Sequence, residues 1–181
     1  ILPQSRFTLS LAAIGGAYGV NDVINGQGAF QLDMRARLSK AWGLTTEVEL
    51  GGGGSVVESS EGHAGVALLA SWQDRVARVQ FGLGWQAMFS PQDTEMVNAV
   101  YVPLQADFFL GDPTKSGAQF FLRLDGGVGA AVWRSRTTVD QKIDIDPEQI
   151  DQSVTVREPD HVGGAYYRFG LGFGVTFDFK K

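Results

Sequence analysis

The chain carries two histidines, His63 and His161, and no cysteine. A histidine beside a serine and a carboxylate is the minimum for acyl transfer, because the imidazole takes the hydroxyl proton while the carboxylate orients the ring. Ser59, Ser60 and His63 are close in sequence, as are Asp160 and His161. All five fall in stretches that read as long loops, where two solvated loop histidines are the plainer expectation. No catalytic residue is assigned. Without cysteine there is no disulfide framework and no thiolate metal site.

A second group is acidic. Asp140, Asp144, Asp146, Glu148, Asp151, Glu158 and Asp160 crowd one segment, and oxygen-rich loops hold calcium. The stretch Asp144-Ile145-Asp146-Pro147-Glu148 has Pro and lacks the turn glycine of a calcium-binding loop. It reads as a solvated acidic loop, and no metal or other cofactor is expected. The run Gly51-Gly52-Gly53-Gly54 lacks the Lys-Ser/Thr and the helix of a phosphate-binding loop, so it reads as a flexible loop entry.

The third group is the largest: Asp33, Arg35, Arg37, Glu47, Glu49, Arg78, Asp107, Arg123, Asp125 and Arg168. Its spacing argues against a cleft of acid–base pairs. Most members occupy polar positions of a period-two alternation. In Phe30-Gln31-Leu32-Asp33-Met34-Arg35-Ala36-Arg37-Leu38 every even residue is apolar and every odd one polar or charged. Similar segments of about 10 residues, the length of a membrane-crossing strand, recur around Leu44–Leu50, Val66–Trp72, Val79–Ala87, Val100–Leu110, Phe120–Val132 and Ala165–Phe179. A first segment, Arg6–Tyr18, loses phase at Gly15-Gly16, where a bulge is expected. That makes eight strands.

The connections alternate in length. Short ones are expected near 39–43, 73–75 and 111–118, and long ones near 19–27, 51–63, 90–98 and 134–164. Such a chain folds as an up-and-down antiparallel meander, one domain over residues 1–181. Three features set the apolar face outward. Bulky Phe, Trp, Leu and Val occupy it, while the polar face is rich in glycine, as a narrow lumen requires. The polar face carries both charges, with Arg dominant and suited to confined carboxylates. Aromatics collect near strand ends: Trp42, Trp72, Phe108, Phe120, Phe177 and Phe179 by the short turns, and Phe30, Trp85, Phe89, Tyr101, Trp133, Tyr166 and Tyr167 by the long loops. The sequence therefore predicts an all-β, eight-stranded antiparallel transmembrane β-barrel whose charged residues form a structural ion-pair network in a closed lumen. A near-neutral mean hydropathy of −0.04 fits, because only alternate strand residues face lipid. A net charge of −5 argues against nucleic acid as a partner.

The terminal stretch Gly174-Val175-Thr176-Phe177-Asp178-Phe179 resembles the closing signal of bacterial outer-membrane barrels, with Gly174, Phe177 and Phe179 in the signal positions. Lys180-Lys181 depart from it, since such chains usually end on the aromatic. In strand number and length the chain resembles the small OmpX-like and OmpA-like barrels. The resemblance implies the outer membrane, contact with its lipid and lipopolysaccharide leaflet, and delivery by the barrel-insertion machinery. A chain beginning at Ile1 rather than Met fits a processed export precursor. Outer-membrane lipid A deacylases carry a His-x-Ser-Asn pattern, which neither His63-Ala64-Gly65 nor His161-Val162-Gly163 matches.

The expected role is non-catalytic: surface interaction, adhesion, envelope stabilisation or complex formation through loops and outer wall. A lipid-modifying enzyme, of deacylase or acyltransferase type, and a narrow conduit for small solutes are the alternatives. The longest loop has a pattern of its own. Pairing the last two strands so that partner numbers sum to 295 sets Leu124 against Leu171 and Leu122 against Phe173. The same register sets Val139 against Val156 and Ile145 against Ile150, around Asp146-Pro147-Glu148-Gln149, where Pro suits a type I turn. A protruding hairpin is expected over 134–163, with Val139, Ile143, Ile145, Ile150, Val154 and Val156 as a protein-contact stripe. The apolar side changes parity between Val132 and Val139 and again before Ala165, so bulges are expected there, with Pro159 one candidate.

Overall fold

The computed structural model describes residues 7–20, 23–54, 61–90, 95–111, 117–136 and 164–179. They form eight strands: β1 (Phe7–Val20), β2 (Val23–Arg37), β3 (Trp42–Gly54), β4 (Glu61–Gln73), β5 (Ala77–Ser90), β6 (Glu95–Leu110), β7 (Ala118–Arg136) and β8 (Gly164–Phe179). Each pairs antiparallel with its neighbours in sequence, and β8 pairs with β1 to close the barrel. Among the described residues no helix is long and apolar enough to cross a membrane; the strands carry the apolar surface. Successive side chains of a strand point to opposite faces, so alternation in sequence becomes an inside and an outside. Along β3, Glu47 and Glu49 are buried while Leu44 and Leu50 are exposed. The same division gives outward Phe81, Leu83, Leu104, Leu122, Leu124, Leu171 and Phe173, and inward Arg78, Gln105, Asp107, Arg123 and Arg168. Large apolar side chains outside and ion pairs inside invert the order of a soluble barrel.

The register at the last seam is the one expected: Leu124 meets Leu171, Leu122 meets Phe173 and Val128 meets Tyr167. β7 runs beyond β8, pairing with β6 up to Arg136. Residues 137–163, including the hairpin stripe, Pro159, Asp160, His161 and the acidic cluster, lie outside the described residues.

Three expectations are corrected. No register shift interrupts β1 at Gly15-Gly16; its ladders to β2 and β8 are continuous. The irregularity falls instead at Asn98/Ala99, opposite Trp133 and Ala131, so Val132 is the extra residue. That position opens the interval in which the parity change was expected. The connection expected over 19–27 is mostly strand, since β1 and β2 stay paired out to Val20 and Val23. Asn25, Gly26, Gln27 and Gly28 keep the alternation with amides inside and glycines outside, which a reading tuned to apolar residues passes over. The four glycines at 51–54 are likewise the end of β3, laddered to Gly26–Ala29, because backbone pairing needs no side chain.

The short turns have local causes. Asp74 Oδ1 accepts the backbone N–H of Val76 at 2.7 Å and of Ala77 at 2.8 Å, closing the β4–β5 turn. Ser39 Oγ accepts the Trp42 N–H at 3.1 Å between β2 and β3. Gly111 takes φ 95° just after β6, a conformation that favours glycine.

The charged lumen as candidate functional site

The lumen is built around three arginines. Asp107 sits between two of them in the ladders, opposite Arg78 on β5 and opposite Arg123 on β7. Arg78 Nε donates to Asp107 Oδ2 at 2.8 Å. Arg123 Nε donates to Asp107 Oδ1 at 2.6 Å. Arg123 then reaches across the barrel to β2, donating to Asp33 Oδ2 at 2.5 Å and to Gln31 Oε1 at 2.7 Å. Arg168 on β8 grips Glu49 on β3 with both terminal nitrogens, at 2.9 and 2.6 Å, and turns its Nε to Asp125 Oδ2 at 2.9 Å. A fork matched to two carboxylate oxygens is the geometry that favours Arg over Lys.

Neutral amides join the two clusters. Gln105 donates to Glu47 Oε2 at 2.5 Å and to Asp125 Oδ1 at 3.1 Å. Gln31 donates to Glu49 Oε2 at 2.6 Å. Gln80 donates to Gln105 Oε1 at 3.0 Å. Gln31, Gln80 and Gln105 were absent from the sequence-based network, although they share the inward parity of its charged members; parity was the signal that could have found them. Aromatic faces close the gaps. Phe121 lies 5.2 Å from the Arg123 guanidinium and 5.6 Å from that of Arg78. Tyr101 lies 5.5 Å from that of Arg168. The inward glycines make room for these rings: a Cβ on Gly174 would meet Phe121 Cζ at 2.4 Å, and one on Gly84 would meet Tyr101 Cζ at 2.6 Å.

Asp33, Glu47, Glu49, Arg78, Asp107, Arg123, Asp125 and Arg168 thus come together in one hydrogen-bonded assembly. Arg35 is held apart from it by Ser71 Oγ at 2.7 Å and the Ala41 carbonyl at 3.1 Å. Arg37 stands at the end of β2 and is half-buried. At the short-turn rim Thr8 donates to Asp178 Oδ1 at 3.0 Å, tying β1 to β8. Of the closing-signal residues, Gly174 faces the lumen under Phe121, Phe177 is half-buried and Phe179 is exposed on the outer wall.

His63 is not in a loop. It lies on β4 facing the lumen, 2% exposed, with Nε2 at 3.2 Å from Glu49 Oε1 and its ring edge-on to Tyr18 at 6.0 Å. Gly51, opposite it on β3, leaves the space its ring needs. Tyr101 and Tyr166, expected in an outer aromatic girdle, also point inward. Their rings pack 5.3 Å apart, and the Tyr166 hydroxyl bonds to Gln86 Oε1. Their parity matches that of Gln105 and Arg168, which outweighs their aromatic character. Ser59 and Ser60 lie outside the described residues. Among the described residues no three metal-binding side chains converge.

No protein-family model matches the chain, and a comparison with curated proteins finds no match. Among solved structures it is similar to Ail, the attachment invasion locus protein of Yersinia pestis, with a TM-score of 0.50 and 10% identity over 96% of this chain and 99% of that one. The fold is that of a small outer-membrane β-barrel. Two further similar structures are Neisserial surface protein A (NspA), with a TM-score of 0.49 and 9% identity over 97% of this barrel and 98% of that chain, and the outer membrane protein OprG from Pseudomonas aeruginosa, with 0.45 and 8% over 98% of each. At these identities the likeness is one of architecture, and the lumen of this barrel is argued from its own residues.

Proposed function

We propose that this chain is a non-catalytic bacterial outer-membrane barrel, with a closed lumen, that acts through its loops and outer wall in surface interaction, adhesion or envelope assembly. The observation that carries the reading is the set of bonds between strands that are not neighbours. Arg123 ties β7 to β2, Arg168 ties β8 to β3, Gln105 ties β6 to β3 and Arg78 donates from β5 to Ser10 on β1 at 3.1 Å. Such crossbars fill the space through which a solute would pass. They also favour a structural role for the charges, since Arg78, Arg123 and Arg168 are each engaged by carboxylates on at least two strands. The buried position of His63, turned away from the lipid-facing wall, weighs against a lipid-modifying enzyme. The stripe Val139, Ile143, Ile145, Ile150, Val154 and Val156 is the proposed partner contact. Gly174, Phe177 and Phe179 are the proposed insertion signal. Single-channel recording of the refolded protein in planar bilayers tests the closed lumen. No stable conductance is expected; a large and steady one would replace this reading with the conduit.

A further inference from the structure

The short-turn end of the barrel carries a patch that the lumen does not account for. Trp42 at the start of β3 and Trp72 near the end of β4 are ladder partners, and both are exposed on the outer wall. The turns beside them present Lys40, between β2 and β3, and Arg75, between β4 and β5, and both cations are exposed. Gln73 donates its backbone N–H to the Ala41 carbonyl at 2.9 Å, which ties one turn to the other. Phe109 donates its backbone N–H to the Val76 carbonyl at 2.8 Å, which fixes the second turn to β6. The patch is therefore held in shape before anything binds to it, and preorganisation of that kind lowers the cost of binding.

Each part of it asks for the same neighbour. Leu38 is 73% exposed and Val76 is 65% exposed, and apolar side chains at turns find cover where the turns dip into a lipid interface. Trp suits that level, where its N–H meets headgroups and its ring meets acyl chains. Among the described residues Lys40 and Arg75 make no ion pair. Asp74 is the carboxylate of the second turn, and its Oδ1 is taken up by the backbone N–H groups of Val76 and Ala77. The two turns lie two strand spacings apart, about 10 Å, a gap that the long stems of Lys and Arg can close on one phosphate. Short turns of outer-membrane barrels face the periplasm, so the lipid met here is phospholipid rather than lipopolysaccharide.

We infer that Lys40, Arg75, Trp42 and Trp72 form a headgroup site for one anionic phospholipid of the periplasmic leaflet. The cations hold its phosphate, and the indoles flank its glycerol and upper acyl chains. The site does not depend on which partner the loops engage. The test uses the full chain with Trp85→Phe and Trp133→Phe, which leaves Trp42 and Trp72 as its tryptophans, refolded in phosphatidylcholine vesicles. A minor fraction of lipid brominated high on its acyl chains is added, either phosphatidylglycerol or phosphatidylcholine, because bromine quenches indole fluorescence on contact. At equal mole fraction brominated phosphatidylglycerol should quench more strongly. Lys40→Gln and Arg75→Gln should each cut its relative affinity about fivefold, the effect of one cation at an anionic lipid surface, and leave quenching by phosphatidylcholine unchanged. High salt should shrink the preference. Where the reporter or a variant does not fold, native mass spectrometry of the wild type from mixed micelles decides: phosphatidylglycerol should be retained over phosphatidylcholine, and equal retention would refute the site. Equal quenching by the two lipids, a preference that survives both charge substitutions or high salt, or its displacement by inorganic phosphate at matched ionic strength would each overturn the proposal.

Discussion

Arg123 meets Asp107 through two bonds across the β6–β7 ladder, Nε to Oδ1 at 2.6 Å and a terminal nitrogen to Oδ2 at 3.0 Å. The same guanidinium also holds Asp33 from across the barrel. Arg123→Met keeps bulk and removes charge, leaving Asp33 without its nearest cation and Asp107 with Arg78 alone in the buried lumen. It should cost about 3–5 kcal/mol of stability, the range for breaking a buried pair from one side. Equilibrium unfolding in lipid vesicles measures this. Adding Asp33→Asn to the variant should recover part of the loss, and a single-variant cost below about 1 kcal/mol, the worth of an exposed pair, would refute a structural network.

The outer wall makes its own demand. Leu83, Leu104, Leu124 and Leu171 are exposed on the apolar face. Arg at such a site should cost about 2–4 kcal/mol in bilayer refolding, and less at Phe179 near the strand end. Equal and negligible costs at every site would mean that the wall does not face hydrocarbon.

Acid should act on one turn. The backbone N–H groups of Ala77 and Val76 hold the Asp74 carboxylate below its ordinary value of 3.8. A lowered value in the fold stabilises it above the unfolded value, and the benefit disappears as pH falls through the folded one. Wild type should therefore exceed Asp74→Asn in stability at neutral pH, with the difference closing in acid. Melting curves of both proteins across the acid range check this; a gap that widens in acid has the wrong sign.

Replacing residues 137–158 with a short turn should leave the barrel folded, because the described β7–β8 ladder reaches Ala131 and Gly164 without them. Association with the partner should be lost. Retained association would move the contact elsewhere. Rapid amide exchange throughout 139–156 in the intact protein would rule out the hairpin.

Double replacement of His63 and His161 should leave lipid A composition and surface activity unchanged. Glu49 keeps Arg168 and Gln31 when the imidazole is gone, so the cost should stay within about 1–3 kcal/mol. Mass spectrometry of lipid A from cells with and without the variant is the readout, and a missing modification would restore the enzyme reading.

The sequence by itself determined which charged residues of the lumen face inward. Period-two alternation is a property of extended backbone, and it sorted Asp33, Glu47, Arg78, Asp107, Arg123 and Arg168 onto one face before any contact was known. Pairing of apolar positions even set the β7–β8 register, since one slipped residue would turn Leu124 and Leu171 away from lipid. Only the tertiary structure decided who meets whom. Closing the barrel brings β7 against β2 and β8 against β3 across the lumen, and no local pattern encodes a distance between Arg123 and Asp33 or between Arg168 and Glu49. The same closure drew His63 out of an expected loop and onto Glu49, since glycines at 51–54 pair as well as any residue. It turned Tyr101 and Tyr166 inward because strand parity, unlike aromatic character, is not negotiable once neighbouring strands are laddered.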